Sequence, residues 1–240
     1  EFIGLCLNWG LLGCIAVQTI NYHFHFPRDR CAVKALVFSL SFWDVAQTAI
    51  FTQFCFSIFA QNFGDASAIE NIGLSWLSVP IMGGISSFTV QSFYAWRLHH
   101  LSGCKWLLSG SIVTIALAQG SSAIAVGIRA CVVAGPLSEL QENTLPMVMI
   151  WLIGSAVCDL VICISMMFFV SLKQTSYKET EKLLKRAIVL VTALTVRTAS
   201  VSIVEVTLYT VYRHNSYHIG PAAIIGKLYT NVFLILINSR

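Results

Sequence analysis

The chain contains seven long, predominantly apolar stretches, and this pattern restricts its fold more than any other feature. They cover about residues 2–24, 33–59, 74–98, 106–133, 146–172, 187–211 and 219–237. A helix of about 20 apolar residues spans the hydrocarbon core of a bilayer. Lipid offers no hydrogen bonds to a backbone, so runs of this length are expected to be helical. The sequence therefore predicts an all-α, seven-helix transmembrane bundle that occupies residues 1–240 as one domain.

The composition supports a chain that is surrounded by lipid. Only 11% of the residues are charged and 56% are hydrophobic, whereas a soluble domain carries about 25% charged residues. The connections between the apolar stretches are short and leave little room for a soluble domain. We therefore expect a multi-pass integral membrane protein whose main partner is the lipid bilayer. The plasma membrane is its predicted location, with another cell membrane as the alternative.

Basic residues outside the apolar stretches are distributed very unevenly. If the stretches alternate in direction, one side of the membrane receives eleven Lys and Arg residues and the other side receives two. Because basic loops stay in the cytoplasm, this bias predicts that the N-terminus lies outside and the C-terminus in the cytoplasm. The bias also accounts for the net charge of +4, because basic residues on the cytoplasmic side are attracted to the anionic lipids of the inner leaflet. A nucleic-acid partner is not expected.

Four charged residues lie near the middle of apolar stretches, where charge is most costly. They are Asp44, Asp159, Arg197 and Lys227, and their formal charges sum to zero. A charge at the bilayer centre costs at least about 2.5–3.5 kcal/mol unless it is paired or hydrated. A rise of about 1.5 Å per residue places all four near one plane. We therefore expect these side chains to face one another inside the bundle.

Polar residues at similar depth enlarge this predicted charge cluster. Gln91 lies in the third stretch, and Tyr229 and Asn231 follow Lys227 in the seventh. Glu205 is shallower and is expected to face water at the outer mouth of the bundle. The pattern fits a ligand or ion site within the bundle. It also fits a structural ion-pair network that only fixes helix packing, and the sequence leaves both interpretations open.

Three other chemistries receive less support from the residues. Lys227 has the position of a retinal-attaching lysine, but the Arg-x-x-Asp pattern of microbial rhodopsins is missing from the third stretch. His23, His25, His99 and His100 gather at the predicted inner face without a carboxylate at ligand spacing on the same helices, so we interpret them as interfacial residues and not as a metal site. The sequence contains no nucleophile, zinc-protease or phosphate-loop motif. We therefore expect no enzyme activity, no cofactor and no metal.

A set of short motifs resembles a large fungal, mainly basidiomycete, family of seven-helix integral membrane proteins known only as a domain of unknown function. The motifs are Leu7–Gly10 with Gln18, Phe26–Asp29, Asp44, Val90–Arg97, Asp159, Lys227–Asn231 and Asn238–Arg240. The resemblance extends over nearly the whole chain. It implies a seven-helix fold and a membrane location, and it implies no activity.

Two function hypotheses from different classes remain. The first is a receptor-like or sensory protein that binds a small ligand in the bundle, for which a cytoplasmic protein partner on the inner loops would be expected. The second is a transporter or channel that uses the same midplane charges. The motifs of G-protein-coupled receptors are not met, since the third stretch ends in Trp96–His99 and the seventh has no Asn-Pro-x-x-Tyr.

Overall fold

The computed structural model describes residues 1–64, 73–101, 103, 106–132, 137–172, 178–212 and 216–239. Side chains are described at all of these except 101, 137–142, 170–172, 178–191, 193–195 and 216. Over these ranges the fold is all-α with seven long helices. They are α1 (Phe2–His25), α2 (Cys31–Phe56), α3 (Met82–Leu101), α4 (Trp106–Val132), α5 (Leu137–Leu172), α6 (Lys178–Val211) and α7 (Ile219–Asn238). Short π-helical segments, Ser57–Gln61 and Leu77–Ile81, adjoin α2 and α3, and a 3-10 turn, Ser216–His218, precedes α7. The prediction of seven helices is confirmed.

Five helical stretches of the described chain are long and apolar enough to cross a membrane. They are Phe2–His25, Cys31–Gln61, Trp106–Val132, Asn143–Phe169 and Ile219–Asn238. Helix α3 is not among them, because it is rich in Ser, Thr, Gln and His. A multi-pass membrane protein in contact with the bilayer is therefore confirmed. The orientation stays a prediction, since many of the basic residues behind it lie at 173–191, where side chains are outside the described set.

Two helix boundaries differ from the predicted spans. The fifth helix begins at Leu137, and Pro146 lies inside it, although Pro normally interrupts a helix. Membrane helices tolerate Pro because neighbouring helices can satisfy the backbone groups that it frees. The sixth helix begins at Lys178, earlier than 187, because the prediction counted only its apolar part.

Successive helices run in opposite directions, so the ends of the bundle collect different residues. Contacts between Trp9 and Thr52, and between Thr144 and Tyr209, join the start of one helix to the end of the next. The end that contains the starts of α1 and α7 is called the Glu1 face. The charge bias predicts that this face lies outside the cell.

The last helix forms the centre of the bundle. In the most apolar 18-residue segment of α7, 78% of the residues are buried, compared with 17% in the corresponding segment of α1. Helix α7 packs against α1, α3 and α6. Any polar side chain on α7 is therefore presented to other helices and not to lipid, which makes α7 the scaffold for the buried charges.

Helix α1 lies at the periphery and contacts α7 along one narrow face. Its buried residues, Gly4, Asn8, Ile15 and Tyr22, recur at spacings of four or seven, which places them on one side of a helix. The two helices approach closely at Gly4, where an added Cβ would lie 2.6 Å from the Cα of Gly220. Small residues permit this approach.

Candidate functional site: three buried acids and one buried lysine

The four midplane charges do not form one cluster. Asp44, Asp159 and Lys227 are buried, as expected, but Arg197 is exposed on α6. The expectation that all four face one another is therefore wrong: Arg197 points outward, and Asp159 lies apart from the Asp44–Lys227 pair. Sequence position gave the depth of Arg197 but not its direction: the neighbouring Thr198 faces the interior, and one residue turns the helix by about 100°. An exposed Arg can extend its charged end along its alkyl stem toward the headgroups.

Lys227 of α7 pairs with Asp44 of α2. Its Nζ lies 3.8 Å from Asp44 Oδ1, and both side chains are 0% exposed. The ammonium also donates to the backbone carbonyl of Asp44 at 3.1 Å and to Gln47 Oε1 at 3.2 Å. Gln47 in turn donates to the carbonyl of Ser78 at 2.8 Å. The lysine thus has an opposite charge and two acceptors, which is what a buried ammonium requires.

The Asp44 carboxylate is less well satisfied than its lysine partner. Among the described residues, neither Asp44 oxygen has a hydrogen-bond donor, and the buried hydroxyls of Ser78 and Ser86 have no partner. The Thr230 hydroxyl of α7 lies near the carboxylate, and the Lys227 ammonium lies at 3.8 Å, a distance longer than a hydrogen bond. The pair therefore depends mainly on the attraction between its two charges.

Asp159 of α5 is held by hydrogen bonds from three helices. Oδ1 accepts from Gln91 Nε2 at 2.9 Å, and Oδ2 accepts from the hydroxyls of Thr198 at 2.8 Å and Tyr229 at 2.7 Å. Within the described part of the chain, no Lys, Arg or His forms an ion pair with it. Ser155 Oγ lies 2.9 Å from the Tyr229 hydroxyl. Three donors can stabilise a buried carboxylate without a cation.

The Asp159 network and the Asp44–Lys227 pair lie on different sides of α7. Tyr229 follows Lys227 by two residues, which turns its side chain by about 200° around the helix. The Asp159 network continues from Gln91 to Gln119 of α4. It therefore joins α3, α4, α5, α6 and α7, whereas the ion pair joins α2 to α7.

Glu205 of α6 is buried, contrary to the expectation that it faces water. It is 2% exposed, and its Oε2 has no hydrogen-bond partner among the described residues. Its helix position explains the burial, because Thr198, Ser202, Glu205 and Tyr209 follow one another at spacings of four, three and four and are all buried. They form one inward stripe on α6.

Glu205 borders a cavity of about 80 Å³ near the Glu1 face. We call this space the Glu205 cavity. Its walls come from the segment before α3 and from α3's neighbours α4, α5, α6 and α7. The residues with polar or aromatic side chains that line it are Ser75, Trp76, Thr144, Trp151, Glu205, Tyr209 and His218. Thr144 and Tyr209 share a 2.8 Å hydrogen bond, and the rings of Tyr209 and His218 meet edge to face at 4.8 Å.

Asn231 connects helices and does not join the charges. Its amide donates to the carbonyls of Leu11 at 3.2 Å and Lys227 at 3.0 Å, and its oxygen accepts from Gln18 at 3.1 Å. Asn8 makes a similar bond to the carbonyl of Ala223 at 2.9 Å. The bonds from α7 to Leu11, Gln18 and Asn8 fasten α1 to α7, so the contacts of Asn231 are those of a packing residue.

Several residues of these sites were not selected from the sequence. Gln119 and Ser155 belong to the Asp159 network, and Trp151 and Tyr209 line the Glu205 cavity. Two signals were available: Gln119 is a polar residue in an apolar span, and Tyr209 lies four residues after Glu205 on the same helix face. Trp151 carries no such signal, because an aromatic residue in an apolar span ordinarily packs in the core.

The inner histidines make contacts of several kinds. His25 Nδ1 lies 2.9 Å from the carbonyl of Asn21, and the ring of His99 lies 4.6 Å from that of Trp106. In the described residues, no group of three or more His, Cys, Asp or Glu side chains is arranged to hold a metal ion.

The C-terminal part of the chain, residues 155–240, matches a family of unknown function (DUF6534). No curated protein and no solved structure matches the chain. The matched segment includes Asp159, Glu205, Lys227 and Tyr229, and it excludes Asp44 and Gln91. Similarity to a family of unknown function is thus confirmed for this segment. The fungal distribution and the seven-helix description of the family remain predictions.

Proposed function

We propose that the chain is a receptor-like or sensory membrane protein that binds a small ligand in the Glu205 cavity. The observation that carries this proposal is Glu205, which lines the cavity and has one carboxylate oxygen, Oε2, without a hydrogen-bond partner among the described residues. Burying an unsatisfied carboxyl group costs several kcal/mol. A bound ligand that pairs with the carboxylate would offset that cost. The proposal includes no catalytic step.

The position of the cavity suits detection of a compound outside the cell. It lies near the Glu1 face, where the start of α7 and the end of α6 contribute Ile219 and Tyr209. With the predicted orientation and a plasma-membrane location, the ligand would enter from the extracellular side. The basic connections on the opposite face would remain available to a cytoplasmic protein partner.

The Asp159 network offers a physical route from the cavity into the bundle. Glu205 and Thr198 lie on one buried stripe of α6, with Ser202 between them, and Thr198 donates to Asp159. A ligand that shifts α6 at Glu205 would also shift Thr198 and would therefore change the Asp159 network, which joins five helices. A ligand changes a conformational equilibrium only through contacts that differ between the two states, and this network could supply them.

A transporter or channel is the second candidate, and the Asp44–Lys227 pair favours it. The two charges are fully buried and 3.8 Å apart, and the Asp44 oxygens have no donor among the described residues. Such a loosely satisfied pair could exchange its partner for a proton or an ion. Buried charges in membrane proteins commonly mark such pathways.

The receptor proposal is tested by ligand-dependent thermal unfolding of the purified protein in detergent. A library of small polar compounds would be screened against the wild type, Glu205→Gln and the matched control Arg197→Gln. Arg197 lies on the same helix but is exposed. A ligand present at 100 times its Kd stabilises the folded state by about 2.7 kcal/mol. We expect hits that stabilise the wild type and the control but not Glu205→Gln.

Two results would contradict the receptor proposal. Either no compound stabilises the wild type, or all hits stabilise Glu205→Gln as well as the control. Reconstitution into liposomes separates the second candidate. Charge movement or uptake driven by a gradient of a hit compound, lost in Lys227→Met, would favour the transporter.

A further inference from the structure

The Glu205 cavity combines one unsatisfied acid with aromatic walls. Trp76, Trp151 and Tyr209 line the same space as the Glu205 carboxylate. Trp151 and Tyr209 are buried, so their rings are shielded from bulk solvent. Indole and phenol faces attract cations, most strongly when the site is desolvated. The lining therefore offers two independent attractions to a positively charged group.

The charge balance around Glu205 points in the same direction. Among the described residues, no Lys, Arg or His lies within ion-pairing distance of its carboxylate. His218 lines the same cavity, but its ring packs against Tyr209. Within the part of the chain that the structure describes, an ionised Glu205 carboxylate therefore has no counter-charge. An anionic ligand would be repelled, and an apolar ligand would leave the acid unsatisfied.

The size of the cavity restricts the ligand further. Its volume of about 80 Å³ exceeds the space that one water needs, which is roughly 10–15 Å³ on the same kind of measure. It is smaller than the roughly 300–1,000 Å³ of sites that enclose drug-sized ligands. The cavity therefore suits the head of a small molecule.

We infer that the Glu205 cavity accepts the ammonium head of a small organic cation, with Glu205 as its counter-ion and Trp76, Trp151 and Tyr209 as its aromatic walls. This inference rests on the proposed function, since it names the ligand class of the same site. The ammonium would pair with the Glu205 carboxylate, whose Oε2 has no hydrogen-bond partner among the described residues. A primary ammonium would donate a hydrogen bond to it, and a quaternary one would pair with it by charge alone.

The test compares small probes of different charge on the purified full chain. Choline and its neutral carbon isostere, 3,3-dimethylbutan-1-ol, have nearly the same shape, and butyrate supplies the anionic case. Binding is measured by calorimetry and by the fluorescence of the intrinsic Trp residues. We expect choline to bind at least tenfold more tightly than the isostere, and butyrate not to bind.

Variants locate the preference for the cation. In Glu205→Gln the choline affinity should fall at least tenfold while the affinity for the isostere changes little. In Trp151→Phe the choline affinity should fall a few-fold, and in the control Arg197→Gln it should not change. The wild-type comparison of choline with its isostere needs no variant, so a poorly folding variant does not remove the test.

The possible outcomes distinguish a failure of the cationic ligand class from a failure of the proposed receptor function. If the isostere binds the wild type as tightly as choline, and Trp151→Phe alters both affinities alike, the cavity binds ligands without preferring a cation. In that case the ligand class is wrong and the proposed function stands. If no cationic probe binds, but a neutral library compound does so in a Glu205-dependent way, the ligand class is again wrong. If no probe and no library compound binds, both are overturned.

Discussion

The Asp44–Lys227 pair allows a quantitative test of how the buried charges hold the bundle together. The perturbations are Asp44→Asn, Lys227→Met and the double variant, which remove one charge, the other charge or both. Lys227→Met leaves the Asp44 carboxylate without a counter-charge, and the described residues give it no hydrogen-bond donor. Asp44→Asn leaves the ammonium with two neutral acceptors, the carbonyl of Asp44 and Gln47 Oε1.

The separation of the charges sets the expected magnitude. At 3.8 Å, two unit charges attract by about 4 kcal/mol for an effective dielectric constant of about 20. Removing one partner of a buried pair typically costs about 3–5 kcal/mol, because the other charge stays buried and unpaired. Removing both charges avoids that penalty. We therefore expect the double variant to be less destabilised than either single variant, with a coupling energy of about 3–4 kcal/mol.

The assay is reversible unfolding of the purified protein in mixed micelles with increasing SDS, followed by circular dichroism. The matched control is the cycle between Asp44→Asn and Arg197→Met, because Arg197 is exposed on α6. That control should be additive within about 0.5 kcal/mol. A coupling energy for Asp44 and Lys227 that is also below about 0.5 kcal/mol would refute the reasoning. The two charges would then not interact, whatever their distance.

Two further predictions concern packing and orientation. Gly4→Ala should destabilise the protein by about 1–3 kcal/mol, because the new Cβ would lie 2.6 Å from the Cα of Gly220. The control in the same unfolding assay is Gly10→Ala, which has no atom within 4 Å of its Cβ and should be neutral or slightly stabilising. Equal effects of the two substitutions would argue against the close approach of α1 and α7. For orientation, a single cysteine placed at Glu142 should react with an impermeant thiol reagent in intact cells and one placed at Lys178 should not, in an otherwise cysteine-free chain, and the opposite labelling would reverse the assigned topology.

The long helices could be predicted from the sequence because hydropathy and length determine them almost alone. A run of about 20 apolar residues has few alternatives in lipid. The boundaries were less predictable where another rule competed. Pro146 indicated a helix start, but the structure continues the helix through it, because neighbouring helices can supply the polar contacts that a Pro removes.

The candidate sites were only partly predictable, because depth follows from position and direction does not. Asp44, Asp159 and Lys227 were expected to be buried and are buried. Arg197 was expected to join them, but the phase of α6 turns it outward. An apolar span gives little information on phase when both of its faces are hydrophobic. The inward polar stripe of α6 would have indicated it, since Thr198, Ser202 and Glu205 share one side.

The outward position of Arg197 changes the charge balance on which the bundle depends. The four midplane charges sum to zero in the sequence, but the described buried set contains three acids, Asp44, Asp159 and Glu205, and one base, Lys227. Lys227 balances Asp44, which leaves two acids to be explained. These two acids, Asp159 and Glu205, differ in how many hydrogen-bond donors surround the carboxylate.

Asp159 already has three hydrogen-bond donors, so it can hold a charge with the groups that surround it. Glu205 has an oxygen with no donor among the described residues and borders open space. An acid of this kind must either bind a proton or receive a cation from outside the chain. Of the two surplus acids, Asp159 is therefore suited to organise the helices, and Glu205 is suited to meet a ligand.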